Sequence, residues 1–286
     1  MLSKELQKKV DIAIKLIQSA SKIAQKNGQK EIAIGYSGGK DSDVILELTK
    51  MACVPYRAIH LVTTIDPAGT IKHAIDNGCE ISRPKMSFLE LIGKNGFPSR
   101  MRRFCCRILK ERYVADYMIL GIRADESNKR KARYKEPEQC YVYNKNEKCR
   151  QYLPILNWTK DDVLAFIKER GIKLHPLYYH KDGSIDITRR LGCMCCPLLS
   201  YKQRMQRFKD NPNMVKLYVR GGQQYLDNHP LSKISKLCND AYEFFCFDVI
   251  CQGSNVRFQQ MFGKNLFDNG TNCKEFLENY FKIKFN

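Results

Sequence analysis

A short apolar segment that runs directly into a glycine-containing polar loop constrains the fold of this chain more than any other feature. Residues 31–36 (Glu-Ile-Ala-Ile-Gly-Tyr) have the length and character of a buried β-strand, and a loop over residues 37–42 follows at once. The apolar spacing of residues 43–51 predicts a helix after the loop. A strand, a tight loop and a helix in this order indicate one β-α unit of an α/β sheet.

The loop has the composition of a phosphate-binding site. Its glycines let the backbone approach a phosphate closely, and the helix after it offers unpaired N–H groups and a positive dipole end. It is not a P-loop of the G-x-x-x-x-G-K-[ST] kind, because Ile34 stands where the first glycine should be. The candidate phosphate-binding residues are Ser37, Gly38, Gly39, Lys40, Asp41 and Ser42. Ser37, Lys40, Asp41 and Ser42 are also the candidate catalytic residues, with Asp41 either bracing the loop amides or helping to hold Mg²⁺.

Strands and helices alternate through the first 200 residues. Apolar patterns predict strands at 56–64 and 117–122 and helices at 6–23, 68–77, 86–93, 104–114 and 159–170. Residues 128–150 are polar, basic and poorly periodic, which predicts a loop or flap, and residues beyond 200 are helical in pattern. The predicted fold is α/β, with a twisted, mainly parallel sheet, helices on both faces and a helical C-terminal subdomain.

Thirteen cysteines need an explanation in a chain of this kind. Cys105 and Cys106 are adjacent, and Cys193 and Cys196 form a C-x-x-C pair. Two pairs supply four thiolates, enough for a [4Fe–4S] cluster or an all-cysteine zinc site. Zinc sites usually take two spaced pairs, so the vicinal pair favours the iron–sulfur cluster, while zinc and a metal-free site stay open. Cys195 is a spare ligand, a sulfur-carrying thiol or a bystander.

The charge balance favours polyanionic ligands. The chain has 49 basic and 30 acidic residues, and residues 100–150 alone hold 15 basic and 7 acidic ones. Such an excess suits nucleotide phosphates or nucleic acid, although a solvated basic surface gives the same count. The N-terminal residues carry charges too closely spaced for a signal peptide, and no apolar run reaches the length of a membrane span. We therefore expect a cytoplasmic protein with no membrane partner.

Five motifs in the same order resemble those of the phosphoadenosine phosphosulfate (PAPS) reductase family. This family lies within the adenine-nucleotide α-hydrolase-like ATP pyrophosphatases, also called the HUP or PP-loop type. The resemblance covers about residues 30–200. The motifs are residues 36–42, Arg103-Phe104-Cys105-Cys106, Gly121-Ile122-Arg123 with Ser127 and Arg130, residues 154–159 with Asp162-Val163, and residues 192–197.

The apolar pattern predicts an N-terminal helix over 1–30 and a helical subdomain over 201–286. The resemblance implies a nucleotide-binding domain with the cysteine cluster over 31–200. It implies ATP with Mg²⁺ at the carboxyl ends of the strands. It further implies a nucleotide site that, besides the loop, includes Thr63, Thr64, Gly121, Arg123, Lys129 and Arg130. Thr63 and Thr64 are expected near the nucleoside, and the three basic residues near phosphate or sulfate.

Two departures from the sulfonucleotide reductases bear on the activity. Those enzymes have a modified loop, whereas this chain has the full ATP version with Asp41 and Ser42. They also use a nucleophilic cysteine in a Glu-Cys-Gly-type tail. This tail contains Cys238, Cys246, Cys251 and Cys273, and none is followed directly by glycine.

We therefore expect an ATP-pyrophosphatase-type enzyme that adenylates an acceptor and releases pyrophosphate. Relatives with an ATP-type loop and a cluster suggest iron–sulfur-assisted sulfur transfer to nucleic acid, as in DNA phosphorothioation or tRNA thiolation. A sulfur-donor protein such as a cysteine desulfurase would then be a partner. The alternatives are a sulfonucleotide reductase that releases sulfite and a non-catalytic subunit that binds nucleotide or nucleic acid.

Overall fold

The computed structural model describes residues 2–143, 147–263 and 272–285, which form two compact units. The first unit consists of Met1–Val62, Asp66–Pro84 and Leu109–Gly192. The second unit consists of Thr63–Ile65, Lys85–Ile108 and Cys193–Asn286. Each unit therefore combines segments that are distant in sequence. The division into residues 1–30, 31–200 and 201–286 stays a prediction.

The first unit contains a six-stranded sheet. Its strands are β1 (Ile32–Gly35), β2 (Tyr56–Leu61), β3 (Glu80–Ser82), β4 (Tyr117–Leu120), β5 (Glu138–Val142) and β6 (Lys148–Tyr152). The strand order is β3-β2-β1-β4-β6-β5, and only the β5–β6 pair is antiparallel. Because β2 and β4 flank β1, the chain leaves the carboxyl ends of β1 and β4 in opposite directions, and this opens a crevice where α/β sheets bind ligands.

The helices are numbered along the whole chain. Those of the first unit are α1 (Lys4–Lys26), α2 (Lys40–Met51), α3 (Thr70–Asp76), α5 (Asn128–Arg133) and α6 (Lys160–Arg170). Alternate residues of β1 face opposite sides of the sheet. Ile32 and Ile34 pack into the large core with apolar residues of α1, α2 and α6, and Ala33 packs into a smaller core with Ile59 and Met118. Burial of these apolar faces is the main stabilising contribution to the unit.

The second unit is helical. Its helices are α4 (Phe88–Asn95), α7 (Tyr201–Asp210), α8 (Pro212–Asn228), α9 (Lys233–Leu237), α10 (Ala241–Phe245), α11 (Asn255–Phe262) and α12 (Cys273–Phe281). Aromatic rings fill its core, with the Phe97 centroid 4.2 Å from that of Phe244 and 5.4 Å from that of Tyr218. Within the described residues, no helix combines the length and the apolar composition that crossing a membrane requires.

The predicted fold class is confirmed: the sheet is mainly parallel and packed with helices, and the C-terminal part is helical. Thr159 is the N-cap of α6. Its hydroxyl accepts from the N–H of Asp162 at 3.1 Å, and the Asp162 carboxylate accepts from the N–H of Thr159 at 2.7 Å. This reciprocal pairing satisfies two N–H groups at the start of the helix.

The loop predicted over residues 128–150 is wrong for most of that stretch, which forms α5, β5 and β6. Exposed and half-buried residues alternate along β5, but apolar Val142 is exposed and polar Gln139 is half-buried, so the hydrophobic pattern carried little strand signal. Residues 144–146 lie outside the described residues. The helix predicted over 104–114 is also shorter than expected. It ends with a π-helical turn over Cys106–Lys110.

Gly121, just after β4, controls how closely β4 approaches α2. A Cβ at this position would lie 2.8 Å from the carbonyl oxygen of Asp41 and 2.9 Å from its carbonyl carbon. Both are backbone atoms, so α2 or the exit of β4 would have to move. We expect Gly121→Ala to lower the free energy of unfolding by about 1–3 kcal/mol, measured by urea denaturation. Gly192→Ala is the control, because a Cβ there meets no atom within 4 Å. Equal stability of Gly121→Ala and wild type would contradict the close approach.

Candidate functional site

The loop between β1 and α2 is held in shape by its own hydroxyl groups. Ser37 Oγ donates to Ser42 Oγ at 3.2 Å and accepts from the N–H of Gly39 at 3.3 Å. Ser42 Oγ donates to the carbonyl oxygen of Gly39 at 2.7 Å. Gly38 has a φ of 77°, which a residue with a side chain rarely adopts. Gly39 is the N-cap of α2 and has no side chain to cap the first N–H groups of the helix.

The first turn of α2 contains a buried group of charges. The Asp41 carboxylate accepts from Arg123 Nε at 2.6 Å and lies 3.4 Å from Lys40 Nζ. The exposed fractions of Lys40, Asp41 and Arg123 are 5%, 9% and 3%. Burial lowers the pKa of Lys40; Arg123 lowers it further, and Asp41 opposes the shift. Asp41 therefore braces two cations, rather than the loop amides that we considered from the sequence.

A recess of about 190 Å³ opens beside this group. It is lined by Lys40, Arg123, Asp125, Glu126, Lys160, Ile187, Thr188 and Arg190. Arg190 Nη2 donates to the carbonyl oxygen of Glu126 at 2.9 Å, and Arg130 pairs with the Glu126 carboxylate. Burial lowers the pKa of Arg130, and the nearby charges of Arg190 and Arg123 lower it further. Positive charges thus outnumber negative charges at the recess, and this excess favours an anionic ligand.

Tyr178 fixes the start of α2 from the other side. Its buried hydroxyl oxygen accepts from the N–H of Lys40 at 3.3 Å and from the N–H of Leu191 at 3.4 Å. Lys40 Nζ lies 5.6 Å from the centroid of the Tyr178 ring. Neither Tyr178 nor Arg190 was predicted from the sequence. The adjacent arginines Arg189-Arg190, just before the second cysteine segment, were a signal for Arg190, whereas no sequence pattern indicated Tyr178.

A second buried network anchors α2 to its neighbours and was also missed. Tyr36, which follows β1, donates its hydroxyl to the Asp43 carboxylate. His73 Nε2, from α3, lies 3.1 Å and 3.3 Å from the two Asp43 oxygens. Burial raises the pKa of Asp43, and the His73 and Tyr36 hydrogen bonds oppose the shift. The network ties the helix that follows the loop to the strand that precedes it.

The structure brings some of the predicted nucleotide-binding residues together and leaves others apart. Arg123 and Arg130 lie with the loop residues around the recess, and Gly121 packs against the start of α2. Lys129 is exposed on α5 and does not line the recess. Thr63 and Thr64 belong to the second unit, where Thr64 Oγ1 accepts from the N–H of Phe88 at 2.8 Å. The nucleoside role of the two threonines stays a prediction.

The four cysteines of the predicted cluster all belong to the second unit. Arg100 Nη2 donates to the carbonyl oxygens of Leu198 and Leu199, at 3.4 Å and 3.1 Å, and so joins the two segments that carry them. The pKa of Cys105 is raised by a hydrogen bond with Cys106, by burial, and by the neighbouring thiols of Cys106, Cys193 and Cys196. The thiols of Cys106, Cys193 and Cys196 are therefore within electrostatic reach of Cys105. Among the described residues, however, no three metal-ligating side chains have the spacing of a metal site.

Two buried polar side chains lie near Cys195 and Cys105. Cys195 is fully buried with a φ of 53°, and burial raises its pKa to about 12. Arg204 Nε donates to the carbonyl oxygen of Cys195 at 3.2 Å. Burial raises the pKa of the Tyr218 hydroxyl, and the charge and hydrogen bonding of Arg204 oppose the shift. Tyr218 is within electrostatic reach of Cys195 and Cys105. Buried donors beside thiols fit a sulfur-rich, anionic group.

The tail cysteines lack the exposure that a nucleophilic thiol needs. Cys238, Cys246, Cys251 and Cys273 are all buried. Burial raises the pKa of Cys251 to about 11 and that of Cys238 to about 12. Thiol nucleophiles act as thiolates in partly exposed, electropositive surroundings. These four positions do not provide such surroundings.

The Tyr178 hydroxyl gives a direct test of how the start of α2 is held. Tyr178→Phe removes the acceptor for two N–H groups, so we expect it to lower the free energy of unfolding by about 1 kcal/mol or more. Chemical denaturation measures this change. Tyr56→Phe is the matched control. Burial and nearby charges raise the pKa of Tyr56, and no hydrogen bond contributes to that shift. An equal decrease in the free energy of unfolding in both variants would contradict the proposed role of the Tyr178 hydroxyl.

Two curated relatives match parts of the chain. An uncharacterized 37.8 kDa protein of Escherichia phage 186 is 36% identical over 137 residues, which cover 43% of this chain and 38% of the relative. An uncharacterized protein of Methanocaldococcus jannaschii is 25% identical over 221 residues, which cover 72% of this chain and 44% of the relative. The chain thus spans less than half the length of these relatives.

Three solved structures are similar at low identity. FMN adenylyltransferase of Candida glabrata is 14% identical, with a TM-score of 0.42 and coverage of 64% of this chain and 61% of that one. PAPS reductase of Candida auris is 18% identical, with a TM-score of 0.40 and coverage of 65% and 96%. NH3-dependent NAD synthetase of Campylobacter jejuni is 14% identical, with a TM-score of 0.40 and coverage of 80% and 96%.

The family comparison covers the part of the chain that contains both the loop and the four clustered cysteines. Residues 31–199 match the phosphoadenosine phosphosulfate reductase domain. That stretch takes up more than half of the 286 residues, and the chain therefore belongs to the phosphoadenosine phosphosulfate reductase family.

Proposed function

We propose that the chain is an ATP-pyrophosphatase-type enzyme that adenylates an acceptor and releases pyrophosphate. The observation that carries this proposal is the loop of residues 37–42, which runs into the first turn of α2 beside a recess lined by two lysine and two arginine side chains. Helix starts and arginine groups are the two protein features that best suit phosphate. The loop keeps both Asp41 and Ser42, as ATP-using relatives do.

Some residues of the site would bind phosphate, and others hold the phosphate-binding side chains in position. The loop N–H groups and the hydroxyls of Ser37 and Ser42 would bind phosphate oxygens. Lys40 and Arg190 would offset the charge of the departing pyrophosphate. Arg123 is held by Asp41 at 2.6 Å and by Asp125 at 3.2 Å, so its guanidinium is positioned before a ligand arrives. Charges fixed in advance stabilise a transition state without reorganisation.

The reaction is an in-line displacement at the α-phosphorus of ATP. An acceptor oxygen forms a new bond to this phosphorus, and the bond to the oxygen that bridges the α and β phosphates breaks. The electron pair leaves with pyrophosphate, and the acceptor proton passes to solvent or to a base on the acceptor. Most of the catalysis would come from positioning and charge stabilisation.

The donors at the recess fit Mg²⁺ bound together with a nucleotide. Magnesium sites of this type use one or two carboxylates, substrate phosphates and water. Asp41, Asp125 and Glu126 lie at the recess and could supply such oxygens. The phosphates of the nucleotide would complete the coordination. Bound Mg²⁺ would neutralise charge on the pyrophosphate.

We also propose that the four clustered cysteines hold an iron–sulfur cluster. The effect of the three neighbouring thiols on the pKa of Cys105 and the buried donors of Arg204 and Tyr218 near them support the proposal. Such a cluster would bind or hand over sulfur, or would support the fold of the second unit. The acceptor would be a nucleic acid, as the basic excess suggests, and a sulfur-donor protein such as a cysteine desulfurase would complete the cycle.

A sulfonucleotide reductase is the second candidate, because residues 31–199 match the domain of that name. The buried tail cysteines do not favour it. Sulfite release from PAPS, or from its relative without the 3′-phosphate, with reduced thioredoxin under anaerobic conditions would establish this candidate. The loss of that release on replacing one tail cysteine would identify the nucleophile.

Asp41 gives the sharpest test of the adenylating activity. Asp41→Asn keeps the size of the side chain but removes the charge that positions Arg123 and Lys40. We expect turnover of α-labelled ATP to AMP or an adenylated product, with pyrophosphate, to fall at least about 100-fold. Exposed Asp11→Asn in α1 is the control. Undiminished turnover in Asp41→Asn would exclude the assignment, and ATP left untouched by wild type, with or without DNA or tRNA, would favour the reductase.

The cluster is tested by metal content. Protein purified without oxygen should contain about four iron and four sulfide per chain, as one [4Fe–4S] group requires. Cys105→Ser and Cys193→Ser should each lose most of this iron, while exposed Cys53→Ser should keep it. Iron and acid-labile sulfide analysis measures the change. Bound zinc in place of iron, or full iron in both ligand variants, would contradict the proposed cluster.

A further inference from the structure

Four tyrosines and one arginine lie side by side at the edge of the sheet of the first unit. The Arg133 guanidinium carbon is 5.2 Å from the ring centroid of Tyr134 and 5.9 Å from that of Tyr141. The Tyr141 centroid is 4.7 Å from that of Tyr143, which is 5.9 Å from that of Tyr113. We call these five residues the tyrosine–arginine surface. Arg133 is exposed, and the four tyrosines are exposed or half-buried.

Helix α5 links this surface to the phosphate recess. Residues 123–135 contain six basic and two acidic residues. Arg130 of α5 lies within electrostatic reach of Arg123 and Arg190, while Lys129, Lys131 and Arg133 of the same helix are exposed. Positive charge therefore continues from the recess along α5 to the tyrosines. Lys129, which does not line the recess, is part of this positively charged surface along α5.

The carboxylates near the tyrosines limit where phosphate could lie. The Tyr113 hydroxyl donates to Asp116 at 2.7 Å, and the Tyr141 hydroxyl donates to Glu111 at 3.5 Å. Negative charge thus lies at the hydroxyl ends of these two rings. A ligand that combines phosphates with flat apolar groups would place its phosphates over α5 and its flat groups against the rings.

We propose that α5 and the tyrosine–arginine surface bind a single-stranded polynucleotide and lead it towards the phosphate recess. Aromatic side chains stack on unpaired bases of any sequence, and an arginine beside them adds cation–π attraction. A duplex keeps its base faces covered, so this surface selects single strands. The inference rests on the proposed function in one respect, namely that the bound strand is the acceptor.

Binding of labelled 20-nucleotide oligouridine and oligothymidine to the full chain, followed by fluorescence anisotropy over a range of salt concentrations, tests the proposal. The charge variant is Lys131→Gln with Arg133→Gln. We expect affinity to fall about tenfold and the slope of log affinity against log salt to become shallower by about 1.4, as for two lost phosphate contacts on a single strand. Lys8→Gln with Lys22→Gln, two exposed lysines of α1, is the control with the same change in charge.

A ring variant separates stacking from charge. Tyr141→Ala should weaken binding about tenfold, because one stacked base is lost. Tyr141→Phe keeps the ring and should bind as wild type does. Comparison of the two oligonucleotides shows whether the surface distinguishes RNA from DNA, and binding of either one supports the proposal.

Three outcomes would overturn the inference: no salt-dependent binding by wild type, equal binding by the charge variant and its control, or a preference for duplex over single strand. Pyrophosphate release from ATP by wild type is measured in parallel. Its absence would contradict the proposed function and leave the binding result standing. Release without oligonucleotide binding would contradict only the inference about the surface.

Discussion

The ion pair between Asp41 and Arg123 is the interaction on which the rest of the candidate site depends. It joins two side chains 82 positions apart in sequence, at the crevice where the chain leaves β1 and β4. Both groups are buried, so removal of either would leave an uncompensated charge in a poorly hydrated place. The pair is therefore costly to break, and it fixes the start of α2 against the end of β4.

Around this pair, the protein holds more positive charge than its own carboxylates balance. Four cations and two carboxylates line the recess, and the pKa of Lys40 is lowered by burial. A bound polyphosphate would offset this excess of positive charge, and its binding would also raise the stability of the first unit.

Local sequence predicted the parts of the site that depend on local structure, and tertiary structure decided the rest. The loop of residues 37–42 was visible because glycines and serines followed an apolar strand. Tyr178 and Arg190 come from distant segments; Arg190 belongs to a pair of adjacent arginines, and Tyr178 shows no sequence pattern. Strands β5 and β6 were missed because the polarity of their side chains does not follow their burial: Val142 of β5 is exposed, whereas Gln151 of β6 is buried.

The discontinuous second unit has a consequence for how the chain matures. Its two cysteine segments are separated by the 87 positions from Cys106 to Cys193, and strands β4, β5 and β6 of the first unit lie between them. At ~5–20 residues per second, the ribosome delivers the second segment several seconds after the first. During that interval Cys105 and Cys106 have no neighbours from the later segment. The second unit can therefore be completed only after every segment of the first unit has been synthesised.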